Sequence, residues 1–292
     1  MAILCALLAQ PARADGKDQP NADTSTLQEV VVTATKPLDK RTLQHAATTF
    51  TKSHATLNPR SGQISHWENP ICPVTRGLQP RSDEYVSHRI VAIAQEVGAP
   101  SRAARHCRVN VQIVFLRDPQ AEVDRIAKIA PTMLGYTNGS FKELATVRFP
   151  IQAWYVTGTA SQEGDQNPQL DSQFTVIVFD QSFNPSRLID VVSQIEYEIV
   201  AVNETKVSRY SLDTISDYVA MLILTRTAQD GCNALPSIID LLSPDCGSRE
   251  KPQALTEADK AFLRGLYGTG FGMKINLEQG RINQQLVHEL GR

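Results

Sequence analysis

The sequence between residues 211 and 268 decides the fold, and three segments carry the information. Residues 211–226 read SLDTISDYVAMLILTR, residues 235–242 read LPSIIDLL, and residues 255–268 read LTEADKAFLRGLYG. The first segment repeats apolar side chains at helical spacing and begins with Ser211, a residue type that readily caps a helix N-terminus. These features predict a strongly apolar helix, then a turn, then another helix.

The last of these segments has the features of a well-defined helix. Thr256 is a favourable N-cap, and Asp259 at the third helical position completes an arrangement like a capping box. Gly268 is suited to end the helix. The predicted buried face consists of four side chains: Phe262, Leu263, Leu266 and Tyr267.

The order of these segments resembles the C-terminal half of a metzincin metalloprotease domain. In that family an active-site helix carries H-E-x-x-H, a turn reading S-I-M follows, and the last helix reads L-T-x-x-D-x-x-x-L-x-x-L-Y-G. The two histidines bind one zinc ion, and the glutamate beside the first is the general base. The resemblance covers residues 211–267. It implies a zincin-like α+β fold with a twisted mixed sheet packed on helices.

The helix departs from the family pattern at every position that the zinc chemistry needs. Asp217 and Met221 stand where the family has its two histidines, and Tyr218 stands where it has glutamate. No histidine occurs between His106 and His288, so no shift of register restores the motif. We therefore expect no zinc and no other cofactor in this protein.

The same three helix residues allow two interpretations. In the functional one, Asp217, Tyr218 and Met221 line a residual cleft that binds a peptide without cutting it. In the structural one, Met221 packs in the core, and Asp217 faces water or caps a neighbouring element. Ile239 stands where the family turn has its methionine, which forms the floor beneath the zinc.

Composition and charge limit the classes of function. The chain has 292 residues, of which 41% are hydrophobic and 21% are charged, which suffices for one main domain with a sizeable core. The formal net charge is -2 and no basic run or basic-aromatic patch occurs, so we expect no nucleic-acid partner. The sequence also lacks a G-x-S-x-G elbow, a Walker A motif and an EF-hand loop.

The N-terminus has the features of a short export signal. Residues 2–9 are apolar, and residues 12–14 (ARA) fit a small-residue cleavage site. The apolar run is too short to span a bilayer. Residues 1–14 are therefore predicted to be a signal peptide, and the mature protein to be periplasmic or secreted. No Lys or Arg precedes the run, so the alternative is the ordinary N-terminus of a cytosolic protein.

Cysteines at four positions would remain after such a cleavage, and an even number in an exported protein favours disulfides. Of the possible pairings we prefer Cys72 with Cys107 and Cys232 with Cys246. The second pair closes a short loop rich in turn residues. No C-x-x-C pair occurs, so neither a zinc ribbon nor a thioredoxin-like site is predicted.

Residues 15–65 are polar and lack sustained periodicity, so we expect a largely disordered segment. A strand-forming stretch at residues 29–36 interrupts it. Its first residues are Glu29, Val30, Val31 and Val32. The stretch resembles the TonB box of outer-membrane receptors, which binds its partner as an added β-strand. An incidental extended segment is the alternative.

Residues 66–292 are predicted to form the metzincin-like α+β domain. Helical spacing predicts helices over 83–97, most of 119–145, and 273–290. Alternation and β-branched residues predict strands over 109–116, 152–157, 174–180 and 195–202. The last strand precedes the apolar helix and fits an edge strand of the sheet. Glu196 and Glu198 share one face of that strand, which we interpret as its solvated face.

These features lead to three hypotheses of function. The leading one is an exported, non-catalytic metzincin-like protein that binds a peptide or protein in the envelope. The second is a hydrolase that uses an unrecognised, zinc-independent site. The third is an envelope adaptor that engages TonB-like machinery through residues 29–36. No transmembrane segment is predicted.

Overall fold

The computed structural model describes residues 38–57, 63–102, 107–135, 141–161, 191–247, 250–269, 273 and 275–291. Its α-helices are α1 (Lys40–His54), α2 (Pro80–Glu96), α3 (Pro119–Ile129), α4 (Phe141–Leu144), α5 (Glu204–Val207), α6 (Leu212–Leu224), α7 (Glu257–Tyr267) and α8 (Ile275–Leu290). Its strands are β1 (Pro73–Arg76), β2 (Val111–Leu116), β3 (Ile151–Ser161) and β4 (Val191–Asn203). Short 3-10 turns cover Pro131–Leu134, Ile238–Leu241 and Pro244–Cys246. The predictions for residues 1–14, 29–36 and 174–180 lie outside the described residues.

Helix α1 lies within the segment predicted to be disordered. Asp39 caps it by accepting hydrogen bonds from the backbone N–H groups of Arg41 and Thr42, at 3.0 and 3.2 Å. The buried face of α1 includes Phe50 and packs against α8. The prediction of disorder is therefore wrong for residues 38–57. The compact unit spans residues 37–292 and so begins well before residue 66.

The described strands form one mixed sheet in the order β1–β2–β4–β3. Strands β1, β2 and β4 run parallel, and β3 runs antiparallel to β4. The predicted α+β class with a mixed sheet is confirmed. Because β4 pairs on both sides, the prediction that residues 195–202 form an edge strand is wrong. Among the described strands, β3 instead lies at that end of the sheet.

The two faces of the sheet carry different layers. On one face, Ile113 of β2 and Val200 of β4 belong to the main core, which also contains α2 and α6. On the other face, α3 covers a smaller cluster. That cluster consists of Val123, Ile126, Leu134, Trp154, Ile199 and Ala201. The alternation of side chains along each strand therefore separates a closed face from a partly covered one.

Helix α6 lies at the centre of the main core. Every residue from Thr214 to Leu224 is buried, including the polar side chains of Ser216 and Asp217. The Ser211 hydroxyl accepts a hydrogen bond from the backbone N–H of Thr214 at 3.1 Å. Helix α7 begins with a capping box between Thr256 and Asp259. The predicted N-terminal caps of both helices are confirmed.

Two disulfides join the cysteine pairs that are preferred from the sequence. Cys72 bonds to Cys107 with a Cα separation of 5.9 Å, and Cys232 bonds to Cys246 with a Cα separation of 5.0 Å. Disulfides persist in oxidising compartments, so both bonds are consistent with a periplasmic or extracellular location. None of the described helices has the length and apolarity needed to cross a membrane.

Candidate functional site

Asp217 is a buried structural acceptor. One of its carboxylate oxygens accepts a hydrogen bond from Nε of Arg89 at 2.6 Å, and the other accepts from the backbone N–H of Leu255 at 2.9 Å. Only 3% of Asp217 is exposed. The side chain thus ties α6 to α2 and to the residues that enter α7. It does not face water, and both oxygens are already engaged.

Tyr218 and Met221 are equally inaccessible. The Tyr218 hydroxyl accepts a hydrogen bond from Nε2 of Gln229 at 2.9 Å, and burial raises the pKa of this tyrosine. Met221 is fully buried in the main core. The interpretation of Asp217, Tyr218 and Met221 as a residual cleft is therefore wrong for these side chains. The structural interpretation fits them, with Met221 in the core and Asp217 holding neighbouring elements.

Aromatic side chains close the C-terminal end of α6. The last carbonyls of a helix have no donor within the helix, so they need donors from elsewhere. The donor–acceptor pairs are the Tyr155 hydroxyl to Leu222 O at 3.0 Å, Trp67 Nε1 to Ile223 O at 2.7 Å, and the Tyr267 hydroxyl to Leu224 O at 2.7 Å. Each donor satisfies a carbonyl that would otherwise be buried without a partner.

A buried polar chain connects α1, the turn at Ser237 and α7. Nε2 of His54 lies 2.9 Å from Oγ of Ser237, and this hydroxyl donates to Oδ1 of Asp259 at 2.6 Å. Nδ1 of His54 lies 3.0 Å from the carbonyl oxygen of Phe50. A serine beside a histidine is the arrangement that a serine hydrolase uses to activate its nucleophile. These hydrogen-bonded residues are therefore the candidate site for the hydrolase hypothesis.

The geometry of this chain does not suit hydrolysis. Asp259 contacts the serine hydroxyl, so it draws the proton away from His54 and leaves the imidazole without a carboxylate to orient it. Burial lowers the pKa of His54 to about 4 and raises the pKa of Asp259 to about 6. None of the three side chains is more than 1% exposed, so a substrate has no access to them. The chain instead fixes the Ser237 turn to both helices.

One group of potential metal ligands is found among the described residues. The donor atoms of Cys232, Asp240 and Cys246 lie within 4.8 Å of one another. The two sulfurs are bonded to each other in a disulfide. The Asp240 carboxylate accepts hydrogen bonds from the backbone N–H groups of Asn233 and Ser237, at 3.1 and 3.3 Å. The donor atoms are therefore engaged in holding the loop, and we assign the group a structural role.

An open groove lies on the sheet face opposite α6, between the sheet and helix α3; we call it the α3 groove. Its volume is about 240 Å³. Its floor is formed by Val114, Leu116, Trp154, Ile199 and Ala201, and its wall by Val123, Ile126, Ile129 and Met133. Ile129 is 67% exposed. Aliphatic, aromatic and thioether groups together make a surface that adapts to an apolar guest.

Hydrogen bonds hold the walls of the α3 groove in place. Gln120 of α3 makes two bonds of 2.8 Å to the backbone, donating to the carbonyl of Ala145 and accepting from the N–H of Val147. The indole Nε1 of Trp154 donates to the carbonyl of Leu144 at 2.6 Å. These bonds tie the helix and the floor to the same segment before β3. The groove is therefore formed in advance, which lowers the entropy lost on binding.

Polar groups surround the apolar part of the α3 groove. Arg125 pairs with Glu122, with 2.9 Å between Nε and one carboxylate oxygen. Tyr197 lies on the sheet side, where burial raises its pKa more than Arg76 and Gln112 lower it. The hydroxyl of Tyr197 is therefore protonated and able to donate at neutral pH. An apolar floor with a few polar groups at its edge is the usual character of a binding site.

Glu198 is a buried ionisable residue, so the prediction that it lies on a solvated face of its strand is wrong. Both of its carboxylate oxygens are buried and have no hydrogen-bond partner among the described residues. Burial raises the pKa of Glu198 well above its usual value, which favours the neutral acid over the carboxylate. Glu198 shares the two-residue spacing of Val200 and Val202, which lie in the main core. This spacing along the strand indicates the correct face.

Residues 64–68 and helix α8 contain a cluster of titratable side chains. Nε2 of His66 lies 2.9 Å from a carboxylate oxygen of Glu68. Burial lowers the pKa of His66, but Glu68 and Glu278 raise it by more. Burial also raises the pKa of Glu278 to about 7. The pKa of Glu278 thus lies near neutrality, and we interpret Glu278 and His66 as part of the attachment of α8.

Comparison with protein-family models, with curated proteins and with solved structures gives no match for this chain.

Proposed function

We propose that this chain is an exported, non-catalytic protein with a metzincin-like α+β domain, and that it binds an extended peptide in the α3 groove. The helix positions that carry zinc chemistry in the family hold Asp217, Tyr218 and Met221. These side chains are buried and are used to hold the fold together. Two disulfides support a place outside the cytoplasm.

The open α3 groove is the observation that carries the proposal. Catalysis needs a reactive group within reach of the substrate, whereas the hydrogen-bonded residues His54, Ser237 and Asp259 are buried in the core. Binding needs an accessible, shaped apolar surface, and the α3 groove provides one with Ile129 exposed beside its floor. The contrast between a sealed polar chain and an open apolar groove favours binding over hydrolysis.

The size of the α3 groove indicates the kind of ligand. Small-molecule and cofactor sites usually measure roughly 300–1,000 Å³ and enclose most of the ligand. The α3 groove measures about 240 Å³ and is open. It therefore suits one or two apolar side chains of a longer molecule better than a complete cofactor. A peptide that presents such side chains from an extended backbone meets this requirement.

The proposal is tested by the binding of fluorescently labelled peptides that differ in apolar content. We expect the wild-type protein to prefer peptides with large aliphatic residues. The variant Ile129→Asn should weaken binding roughly tenfold, because it removes an apolar contact worth about 1.4 kcal/mol. Lys128→Asn introduces the same side chain at the neighbouring position and should leave the affinity unchanged, since Lys128 does not line the groove.

Two outcomes would contradict the proposal. Equal affinities for Ile129→Asn and Lys128→Asn would show that the α3 groove is not the binding site. Cleavage of the bound peptides, detected by mass spectrometry after incubation, would favour the hydrolase hypothesis. Intact peptides together with selective loss of affinity in Ile129→Asn would support a binding protein.

A further inference from the structure

Strand β1 places a positively charged side chain next to the α3 groove. Arg76 is the last residue of β1 and pairs in register with Val114, which belongs to the floor of the groove. Paired strands lie about 4.8 Å apart and residues in register share a face of the sheet, so Arg76 lies on the groove side, next to Val114. The residue is exposed, and no acidic side chain among the described residues forms an ion pair with it.

The other arginine at the α3 groove, Arg125, is already paired with an acidic side chain. Arg125 forms two hydrogen bonds with the carboxylate of Glu122, one turn away on the same helix. The charge of Arg125 is therefore largely compensated within α3, and its donors are directed at Glu122. The excess positive charge at the groove lies on the β1 side, at Arg76.

Neutral hydrogen-bonding groups lie on the same side as Arg76. Gln112 lines the groove and pairs in register with Val74, two residues before Arg76 on β1. Burial raises the pKa of Tyr197, while the nearby charge of Arg76 and a side-chain hydrogen bond with Gln112 lower it by less. A guanidinium group, an amide and a phenol hydroxyl thus surround one edge of an apolar floor. Such a set of donors is complementary to a carboxylate.

We propose that the ligand of the α3 groove is a peptide C-terminus, with the last apolar side chain in the groove and the terminal carboxylate at Arg76. This inference rests on the proposed function and specifies its ligand. In a C-terminal residue, the side chain and the carboxylate leave the same Cα atom. That short separation matches the distance between the Val114 floor and the neighbouring β1 strand. An internal peptide segment has no carboxylate at this distance from its apolar side chain unless an acidic residue follows.

The test compares one labelled hexapeptide ending in leucine as the free acid and as the C-terminal amide. Binding is measured at low ionic strength, where an exposed ion pair contributes most. On the wild-type protein we expect the acid to bind roughly three- to tenfold more tightly than the amide. Arg76→Gln should abolish this difference. Arg81→Gln removes the same charge from a position on α2 and should preserve it.

The outcomes separate the two proposals. Equal binding of acid and amide to the wild-type protein would overturn the C-terminal assignment, while the α3 groove would remain a peptide site. An acid preference that persists in Arg76→Gln would also overturn it. Failure of both peptides to bind, together with failure of the apolar peptide panel, would overturn the proposed function itself. Loss of the preference in Arg76→Gln alone would establish Arg76 as the group that recognises the carboxylate.

Discussion

The hydroxyl of Tyr267 donates a hydrogen bond to the carbonyl oxygen of Leu224 over 2.7 Å, and this bond joins the last residue of α7 to the last residue of α6. Burial raises the pKa of Tyr267 far above its usual value, so the hydroxyl remains a donor at all physiological pH values. Helices α6 and α7 are therefore connected through the tyrosine of the L-Y-G sequence. The connection is structural and needs no metal.

Tyr267→Phe should destabilise the protein. The substitution keeps the ring but leaves the Leu224 carbonyl without its donor, and an unsatisfied buried acceptor costs about 1–3 kcal/mol. Urea denaturation should show this loss in the free energy of unfolding. Tyr210→Phe is the matched control, because the Tyr210 hydroxyl contacts Arg209 at the surface. Equal stabilities for the two variants would mean that the Tyr267 bond contributes nothing measurable.

Glu198 should make the folded state less stable as pH rises. Burial raises its folded pKa above the unfolded value, so the folded protein holds this proton more tightly. The associated stability is fully present below the unfolded pKa and is lost as pH rises toward the folded pKa. Wild-type protein should therefore lose stability from about pH 4.5 upward. Glu198→Gln should remove this slope, so its advantage over the wild type grows with pH.

The comparison at several pH values is needed because the amide introduced by Glu198→Gln also leaves polar atoms buried. Glu196→Gln is the control on the same strand. The pKa of Glu196 is raised by burial too, but Gln194 donates to its carboxylate and the side chain is only partly buried. Its effect should be smaller. Parallel stability curves for wild type and Glu198→Gln between pH 5 and pH 9 would show that folding does not raise the pKa of Glu198.

The sequence predicts the N-terminal ends of α6 and α7 because the capping side chains lie next to the backbone groups that they satisfy. Ser211, Thr256 and Asp259 satisfy backbone groups within three residues of themselves, so their role is visible in the sequence. Helix α1 escaped prediction because its buried residues, among them Leu43 and Phe50, are separated by polar residues such as glutamine and threonine. The polar composition of the segment therefore favoured a prediction of disorder, although its apolar residues recur at helical spacing.

Features that depend on distant parts of the chain could not be predicted. The position of β4 inside the sheet is set by its pairing with β2 and β3, which local alternation does not specify. The α3 groove is assembled from residues between Gln112 and Ala201, so no single segment reveals it. The burial of Glu198 follows from the elements that cover that face of β4. The resemblance over residues 211–267 likewise gave no indication of the groove on the opposite face.

Asp217→Ala should destabilise the protein without changing peptide binding. It removes the partner of Arg89 and the acceptor of the Leu255 N–H. Breaking such a buried pair costs about 2–3 kcal/mol here, since Arg89 is partly exposed. Asp213→Ala, on the first turn of α6, should cost less than about 1 kcal/mol. The measurements are urea denaturation and peptide affinity below the unfolding transition.

A different result for Asp217→Ala would revive the cleft interpretation. If the variant kept wild-type stability but lost peptide affinity, Asp217 would contribute to binding instead of structure.

The zinc content of the protein provides a separate test. Elemental analysis of the purified wild-type protein should show no stoichiometric zinc, because α6 provides no histidine. About one tightly bound zinc per chain would contradict the proposed loss of the metal site.

The two disulfides should stabilise the protein to different extents. The Cys232–Cys246 bond joins residues 14 apart, and the Cys72–Cys107 bond joins residues 35 apart. In the chain-entropy model, removing them costs about 3 and about 4 kcal/mol respectively, since the longer loop restricts the unfolded chain more. Urea denaturation of Cys232→Ala/Cys246→Ala and Cys72→Ala/Cys107→Ala should reproduce this order. The reverse order would mean that effects other than chain entropy dominate the contribution of the Cys232–Cys246 bond.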